Sequence, residues 1–269
     1  MKFDTLKQKC EYYRSLTDHK LMPNSYVLVM VDGHCFSKLI KNKFEKPFDS
    51  TFIYMMNETA KYLCEQIQGV KFAYTQSDEI TLLITDFDTP MTDSYFSYRL
   101  CKMQSLIASM ASVKFNQMYY KNVKGLNDVP LCTFDCKVWT VPNANDAYAW
   151  FLYRQTDCIR NSKSQTAQTY IPHKQLVGLN TDQMIEKLKT ENGIDWNGFG
   201  DDRKYGRIIK KIETKMNKTL QDGQKISFVR NIWTAVPATK LSEDSTMVKE
   251  LIPNFNPFQE INMVKENLV

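Results

Sequence analysis

Residues Tyr26 to Val31 read Tyr-Val-Leu-Val-Met-Val, an unbroken β-favouring run after a Pro23-Asn24 turn signal, and the run stops at Asp32-Gly33. Apolar residues without polar alternation belong to a strand buried on both faces. The polar pair marks the end of that strand.

The segments that follow supply its partners. Phe52, Met55, Met56, Leu63 and Ile67 recur at a helical period between Ser50 and Gln68, with Asp49 or Ser50 as N-cap and Gly69 as terminator. Two short β-rich runs, Val70 to Thr75 and Ile80 to Thr85, flank Gln76-Ser77-Asp78-Glu79 and predict a hairpin with an acidic tip. A second helix is expected over about Asp93 to Asn116, with Leu100, Met103, Ile107 and Met110 facing inward. A strand over Leu131 to Val141, broken by Pro142, and a helix over Tyr148 to Asn161 come next.

The order strand, helix, hairpin, helix, strand, helix predicts an α+β fold. It is a ferredoxin-like palm, a mostly antiparallel sheet with helices on one face, as in polymerases and nucleotidyl cyclases. Beyond Asn161, loops surround a short helix at Thr181 to Thr190. We expect a catalytic palm over 1–161 and a smaller helical and β appendage over 162–269, free to form one body with the palm.

Composition narrows the class. With 269 residues, 43% of them hydrophobic, the chain can bury a core without staples. A net charge of +5 permits a polyanionic partner, and an ordinary solvated surface explains it equally. The seven cysteines include no C-x-x-C pair, which points to reduced thiols of the cytoplasm rather than zinc or disulfides. The first residues lack an apolar leader core, and no stretch approaches the roughly 18 apolar residues of a membrane span. A soluble, cytoplasmic protein is expected.

Asp32 ends one strand, and Asp78 and Glu79 sit at the tip of a hairpin that can lie beside it. Carboxylates converging at a sheet edge suit magnesium, which takes hard oxygen ligands and is commonly held by one or two carboxylates plus substrate phosphates. Gly33 leaves its carbonyl unobstructed as a further ligand. Two ions about 3.5 to 4 Å apart, shared by Asp32 and Asp78, would activate an attacking hydroxyl and stabilise the leaving phosphate oxygens. The same residues also read as a turn cap and a solvated hairpin tip, and spacing alone leaves both open.

Three blocks in register carry a resemblance. Val31-Asp32-Gly33-His34-Cys35-Phe36, Phe44-Glu45-Lys46-Pro47-Phe48-Asp49 and Ala73-Tyr74-Thr75-Gln76-Ser77-Asp78-Glu79 are similar in order and spacing to the tRNA-histidine guanylyltransferase superfamily. Phe134 to Val138, Arg154 to Cys158 and Arg160-Asn161-Ser162 extend it over approximately Tyr26 to Arg207. The superfamily's His-Ile-Asn-Asn block is replaced by Ile159-Arg160-Asn161-Ser162, which resembles the guanylyltransferase-like branch.

The resemblance implies catalytic roles for Asp32, Asp78 and Glu79, with Asp32, Gly33 and Asp78 holding two Mg²⁺ ions. It implies nucleotide contacts from Asp32, Gly33, His34, Cys35, Phe36, Ser37, Ser77 and Asp78. Lys46, Arg99 and Lys102 match basic positions that touch triphosphate, where cations neutralise phosphate charge. Arg99 and Lys102 read equally as the exposed edge of a core helix. Arg154 and Asn161 project from one side of the later helix and are expected to contact RNA, or are helix-surface polarity.

The activity implied is 3′-to-5′ nucleotide addition to the 5′ end of tRNA, with ATP and GTP or other nucleoside triphosphates as substrates. Templated repair of 5′-truncated tRNA is the expected form. Addition of a single G to histidine tRNA, a nucleotidyl cyclase, and a catalytically idle tRNA-binding protein are the alternatives. By the same resemblance a homo-oligomer, a tetramer, is expected, with no membrane association.

Overall fold

The computed structural model describes residues 2–89, 91–123, 131–219, 225–242 and 245–255. Helix α1 (Leu6–Ser15) is opened by Thr5 in a reciprocal capping box with Gln8. Strand β1 (Tyr26–Gly33) follows, then α2 (Phe36–Lys43) and α3 (Ser50–Gln66). Asp49 caps α3 by accepting from the Phe52 amide at 2.8 Å. Gly69, at φ 83°, takes the left-handed backbone needed to turn from α3 into β2 (Val70–Gln76). Next come β3 (Glu79–Ile84), α4 (Leu100–Asn122), β4 (Phe134–Val141) and α5 (Ala144–Tyr170). The chain continues through α6 (Thr181–Asn192), α7 (Asp201–Lys204), β5 (Arg207–Thr219), β6 (Lys225–Pro237) and α8 (Thr246–Lys249).

The sheet runs β4-β1-β3-β2-β5-β6, and every neighbouring pair is antiparallel. Its first four strands, with α3 and α4 as crossovers, form the expected ferredoxin-like palm. Val27, Val29 and Val31 join Ile80, Leu82 and Ile84 against Met55, Leu63, Met103, Ile107 and Phe115 of α3 and α4. Tyr26 and Leu28, with Phe72, Tyr74 and Leu83, pack instead on Ala147, Tyr148 and Phe151 of α5. Helices were expected on one face; α3 and α4 occupy that face, and α5 covers the other. The cause lies in β1, whose consecutive apolar side chains alternate between the two faces and leave neither fit for water.

Helix α5 runs to Tyr170, nine residues past its expected end, and Ala167 and Ile171 join Leu176 and Leu188 in a small core beneath α6. The expected boundary at Asn161 therefore falls inside a helix, and β5 and β6 continue the palm's own sheet. Part of the expected appendage, 256–269, lies outside the described residues. Strand β5 pairs with β2 only at Ala73↔Ile209, Tyr74↔Ile208 and Thr75↔Arg207, but with β6 from Arg207↔Pro237 to Thr219↔Lys225. A two-stranded ribbon thus outruns the sheet. No disulfide joins the seven cysteines. Among the described residues no helix is long and apolar enough to cross a membrane.

Candidate active site

One end of the sheet gathers the carboxylates. Asp32 lies in register with Glu79 of β3 on one side and Asp135 of β4 on the other. Glu79 in turn pairs with Gln76 of β2. Directly paired residues of antiparallel strands share a face, so Asp135, Asp32, Glu79 and Gln76 form one row on the α5 side. The two-residue turn Ser77-Asp78 overhangs it. Ser77 takes φ 46° and donates from its hydroxyl to Asp78 Oδ1 at 2.9 Å. The Gly33 amide donates to the Asp78 carbonyl at 3.2 Å, and the His34 amide to the Thr133 carbonyl at 2.8 Å. The hairpin tip, the end of β1 and the approach to β4 are thereby tied together.

Gly33 is required by packing. A Cβ there would stand 2.6 Å from the ring of Phe36, which is buried against Phe115 and Phe134 at centroid distances of 5.0 and 4.9 Å. Phe36 therefore belongs to the core and can hold a nucleotide only through its backbone. His34, Cys35 and Ser37 are exposed around it, and Cys35 takes a left-handed backbone (φ 59°) as N-cap of α2.

Repulsion is built into the acidic row. Burial, then the charges of Asp78, Glu79 and Asp135, push the Asp32 carboxyl up to about 6. Burial also raises Asp78, against the Ser77 hydrogen bond. Burial pushes Glu79 up too, and Arg154 opposes it. Arg154 donates from Nε to Glu79 Oε1 at 2.8 Å, from Nη2 to Oε2 at 2.5 Å, and from Nη1 to Asp157 Oδ2 at 2.8 Å.

These partners sort the expected residues. Asp32, Gly33, Ser77, Asp78 and Glu79 come together. Glu79 is committed to Arg154, which leaves Asp32 and Asp78, of the three expected carboxylates, open to a cation. Arg154 was expected to meet RNA; with its side chain 14% exposed and engaged by two carboxylates, it positions Glu79. Asn161, in contrast, is exposed.

Among the described residues no three His, Cys, Asp or Glu side chains cluster as a ready metal cage. Two mutually repelling carboxylates beside a backbone carbonyl are nevertheless what magnesium uses when substrate phosphates complete its shell. The donor set fits a cation that arrives with its nucleotide.

Beside the turn a pocket opens between the α2–α3 loop, Gln76-Ser77, α5 and the start of β5, and Phe44, Phe48, Asn161, Arg203 and Arg207 are in its wall. Lys46 is exposed on the same α2–α3 loop. Arg99 and Lys102 stand elsewhere. Ser112 of α4 accepts from the Phe134 amide, opposite Gly33, and Arg99 precedes it by about 20 Å along the helix. There Arg99 pairs with Asp18 at 2.8 Å, and Lys102 lies 4.3 Å over the Phe96 ring. The structure thus separates these cations from Asp32.

Asp135 was missed as a site residue. It lies in the Phe134 to Val138 block that carries the resemblance, but charge along a strand that alternates out to solvent is unremarkable and gave it no role of its own. Arg203 and Arg207 carried no local signal, because the pocket they line is assembled from four distant segments.

Comparison with known proteins points to one family. The family described as tRNAHis guanylyltransferase (Thg1) matches residues 7–142. A tRNA(His) guanylyltransferase of Debaryomyces hansenii is 30% identical over 76% of this chain and 80% of its own. A bacterial Thg1-like protein solved in complex with ATP superposes with a TM-score of 0.80 at 33% identity, covering 93% of this chain and 99% of that one. A bacterial Thg1-like protein in complex with GTP gives 0.74 at 30% identity, with the same coverage.

Proposed function

Because the chain belongs to the tRNAHis guanylyltransferase family and is a nucleotidyltransferase, we propose that it adds nucleotides to the 5′ end of tRNA in the 3′-to-5′ direction. On this reading it sits on the guanylyltransferase-like branch and repairs tRNAs that lack 5′ nucleotides. The observation that carries the reading is Asp32, held between Glu79 and Asp135 under the Asp78 turn with its carboxyl pushed up to about 6. Negative charge crowded at one sheet edge is a standing attraction for a cation bearing a triphosphate.

In the reaction the 5′ end of the RNA is first activated as an adenylate or carries a triphosphate. The 3′-hydroxyl of the incoming nucleotide then attacks that phosphorus, a new P–O bond forms, AMP or pyrophosphate departs, and the hydroxyl proton is released. Asp32, Asp78 and the Gly33 carbonyl would hold Mg²⁺, which when bound neutralises phosphate charge and makes the hydroxyl easier to deprotonate. Arg154 keeps Glu79 fixed beside them and opposes the upward push of burial on its carboxyl. The backbone from His34 to Ser37 and the Ser77-Asp78 turn border the triphosphate, the pocket beside Ser77 takes the nucleoside, and Lys46 neutralises phosphate. Asn161, exposed on α5 at the pocket, meets the RNA end. Arg99 and Lys102, far along α4, serve RNA phosphates away from this nucleotide. Watson–Crick pairing to the opposite strand supplies the base choice.

Free thiols accord with action in the cytoplasm, and a homo-oligomer is part of the same reading. The deciding assay incubates the protein with Mg²⁺, ATP, labelled nucleotides and tRNAs that are intact or lack a 5′ nucleotide. Growth at the 5′ end of truncated tRNA alone is expected. Extension of intact histidine tRNA by one G would replace repair with G addition, and no growth of either would overturn the proposal.

A further inference from the structure

The acidic row has two flanks, and the pocket beside Ser77 occupies only one. With the strands in the order β4-β1-β3-β2-β5-β6, that pocket lies toward β2 and β5. Toward β4, the edge strand, stands a cluster of rings. Trp139 of β4 meets Trp150 of α5 edge-on at a centroid distance of 4.6 Å, and Tyr153 lies 5.7 Å from Trp150. Tyr153 is 53% exposed, yet its place is fixed. The Arg154 guanidinium lies 5.2 Å from the centre of its ring and 5.9 Å from that of Trp150. The same guanidinium is held by Glu79, whose register partner is Asp32. An exposed ring is thereby anchored to the acidic row. Alternation along β4 puts Lys137 on the same face, between Asp135 and Trp139, and it is exposed.

A fixed aromatic face in water with a cation beside it suits an unpaired nucleobase and its phosphate. The reaction decides which base that is. On the reading above, the 5′-terminal nucleotide of a truncated tRNA is paired, and its outer face is covered by the incoming nucleotide, which pairs with the template base. A 5′ end shorter than its opposite strand leaves further nucleotides beyond the template, and their faces are available. We propose that Tyr153, backed by Trp150 and Arg154, is a stacking platform for the first unpaired nucleotide beyond the template, with Lys137 on its phosphate. Every base has a π face, so the platform is indifferent to sequence. The inference rests on the templated-repair reading and goes beyond it by assigning the β4 flank to the strand that carries the template.

The test measures affinity of the full chain, with Mg²⁺ and the complementary nucleoside triphosphate, for a 5′-truncated tRNA ending in a 5′-hydroxyl, which has no phosphorus to attack. Making the first nucleotide beyond the template abasic lowers affinity roughly tenfold, whereas changing its base from A to U alters it by less than about twofold. Tyr153→Leu lowers affinity for the unmodified tRNA by the same factor, makes the abasic change silent, and leaves the nucleotide KM in place. Tyr153→Trp restores the abasic penalty. An abasic change without cost in the unaltered protein overturns the inference, and so do Tyr153→Leu and abasic losses that simply add. Coupling of Tyr153 to an abasic 5′-terminal nucleotide instead overturns the choice of strand. In each of these cases growth of 5′-phosphorylated truncated tRNA leaves the repair reading standing, whereas failure to bind tRNA at all overturns both.

Discussion

Arg154 holds Glu79 in a two-pronged grip, Nε on Oε1 at 2.8 Å and Nη2 on Oε2 at 2.5 Å, and so fastens α5 to β3 at the acidic end of the sheet. Bidentate pairs of this kind fix orientation as well as charge. Removing either partner strands the other in a mostly buried place. Arg154→Ala is expected to lose about 3 kcal/mol of unfolding free energy. The double change with Glu79→Ala should lose less than the sum of the singles. Denaturant titration of the three variants measures both, and strict additivity would mean the two side chains act independently.

Asp32→Asn and Asp78→Asn separate catalysis from folding. Each is expected to lower turnover on truncated tRNA by on the order of 10³-fold, because the cation loses an anionic ligand. Neither should unfold the protein, and Asp32→Asn should raise the melting temperature of metal-free protein at neutral pH by removing a carboxylate that its neighbours repel. Near-normal turnover by either variant would remove the site from consideration.

The raised Asp32 carboxyl sets a pH dependence. Its value of about 6 lies above the 3.8 of a free aspartate. The folded, metal-free protein therefore holds the proton more tightly than the unfolded chain, and the contribution of Asp32 to stability declines as pH rises from about 4 through 6. Mg²⁺ must displace that proton below pH 6 and meets an ionised carboxylate above it. Melting curves with and without Mg²⁺ at pH 5 and pH 7.5 should show a larger Mg²⁺ stabilisation at the higher pH. The opposite order would remove Asp32 from the ligand set.

The basic residues divide by position. Lys46→Ala should raise the KM for nucleotide several-fold with little change in tRNA affinity. Arg99→Ala and Lys102→Ala should weaken tRNA binding and each reduce the slope of log affinity against log salt by about 1, leaving the nucleotide KM in place. Filter binding over a salt series, paired with nucleotide kinetics, distinguishes the two groups.

What the sequence disclosed depended on how local the cause was. β1 and the β2–β3 hairpin were legible because their apolar runs and polar punctuation lie within a few residues, and α3 because Asp49 and Gly69 bracket its period. α4 begins at Leu100 rather than near Asp93 because Phe96, Ser97 and Tyr98 take positive φ values of 51°, 50° and 53°, a backbone no propensity announces. β5 and β6 went unseen because Lys210, Lys211, Glu213, Thr214 and Lys215 carry no apolar alternation; their pairing comes from each other. Within the site, the strand-end aspartates were visible. The 75-residue separation of Glu79 from Arg154 hid the contact that turns an expected RNA ligand into a positioning residue.

Side chains along β1 point to opposite faces in turn, and this gives the strand's length a chemical meaning. One residue inserted or deleted between Tyr26 and Asp32 while the register with β3 holds would swing the carboxylate half a revolution into the hydrocarbon beneath α3 and α4, and a valine, after insertion, or a glycine, after deletion, would take its seat. The sheet's parity, as much as the identity of residue 32, keeps the acid facing its partners. Changes in chain length that spare activity are therefore confined to loops.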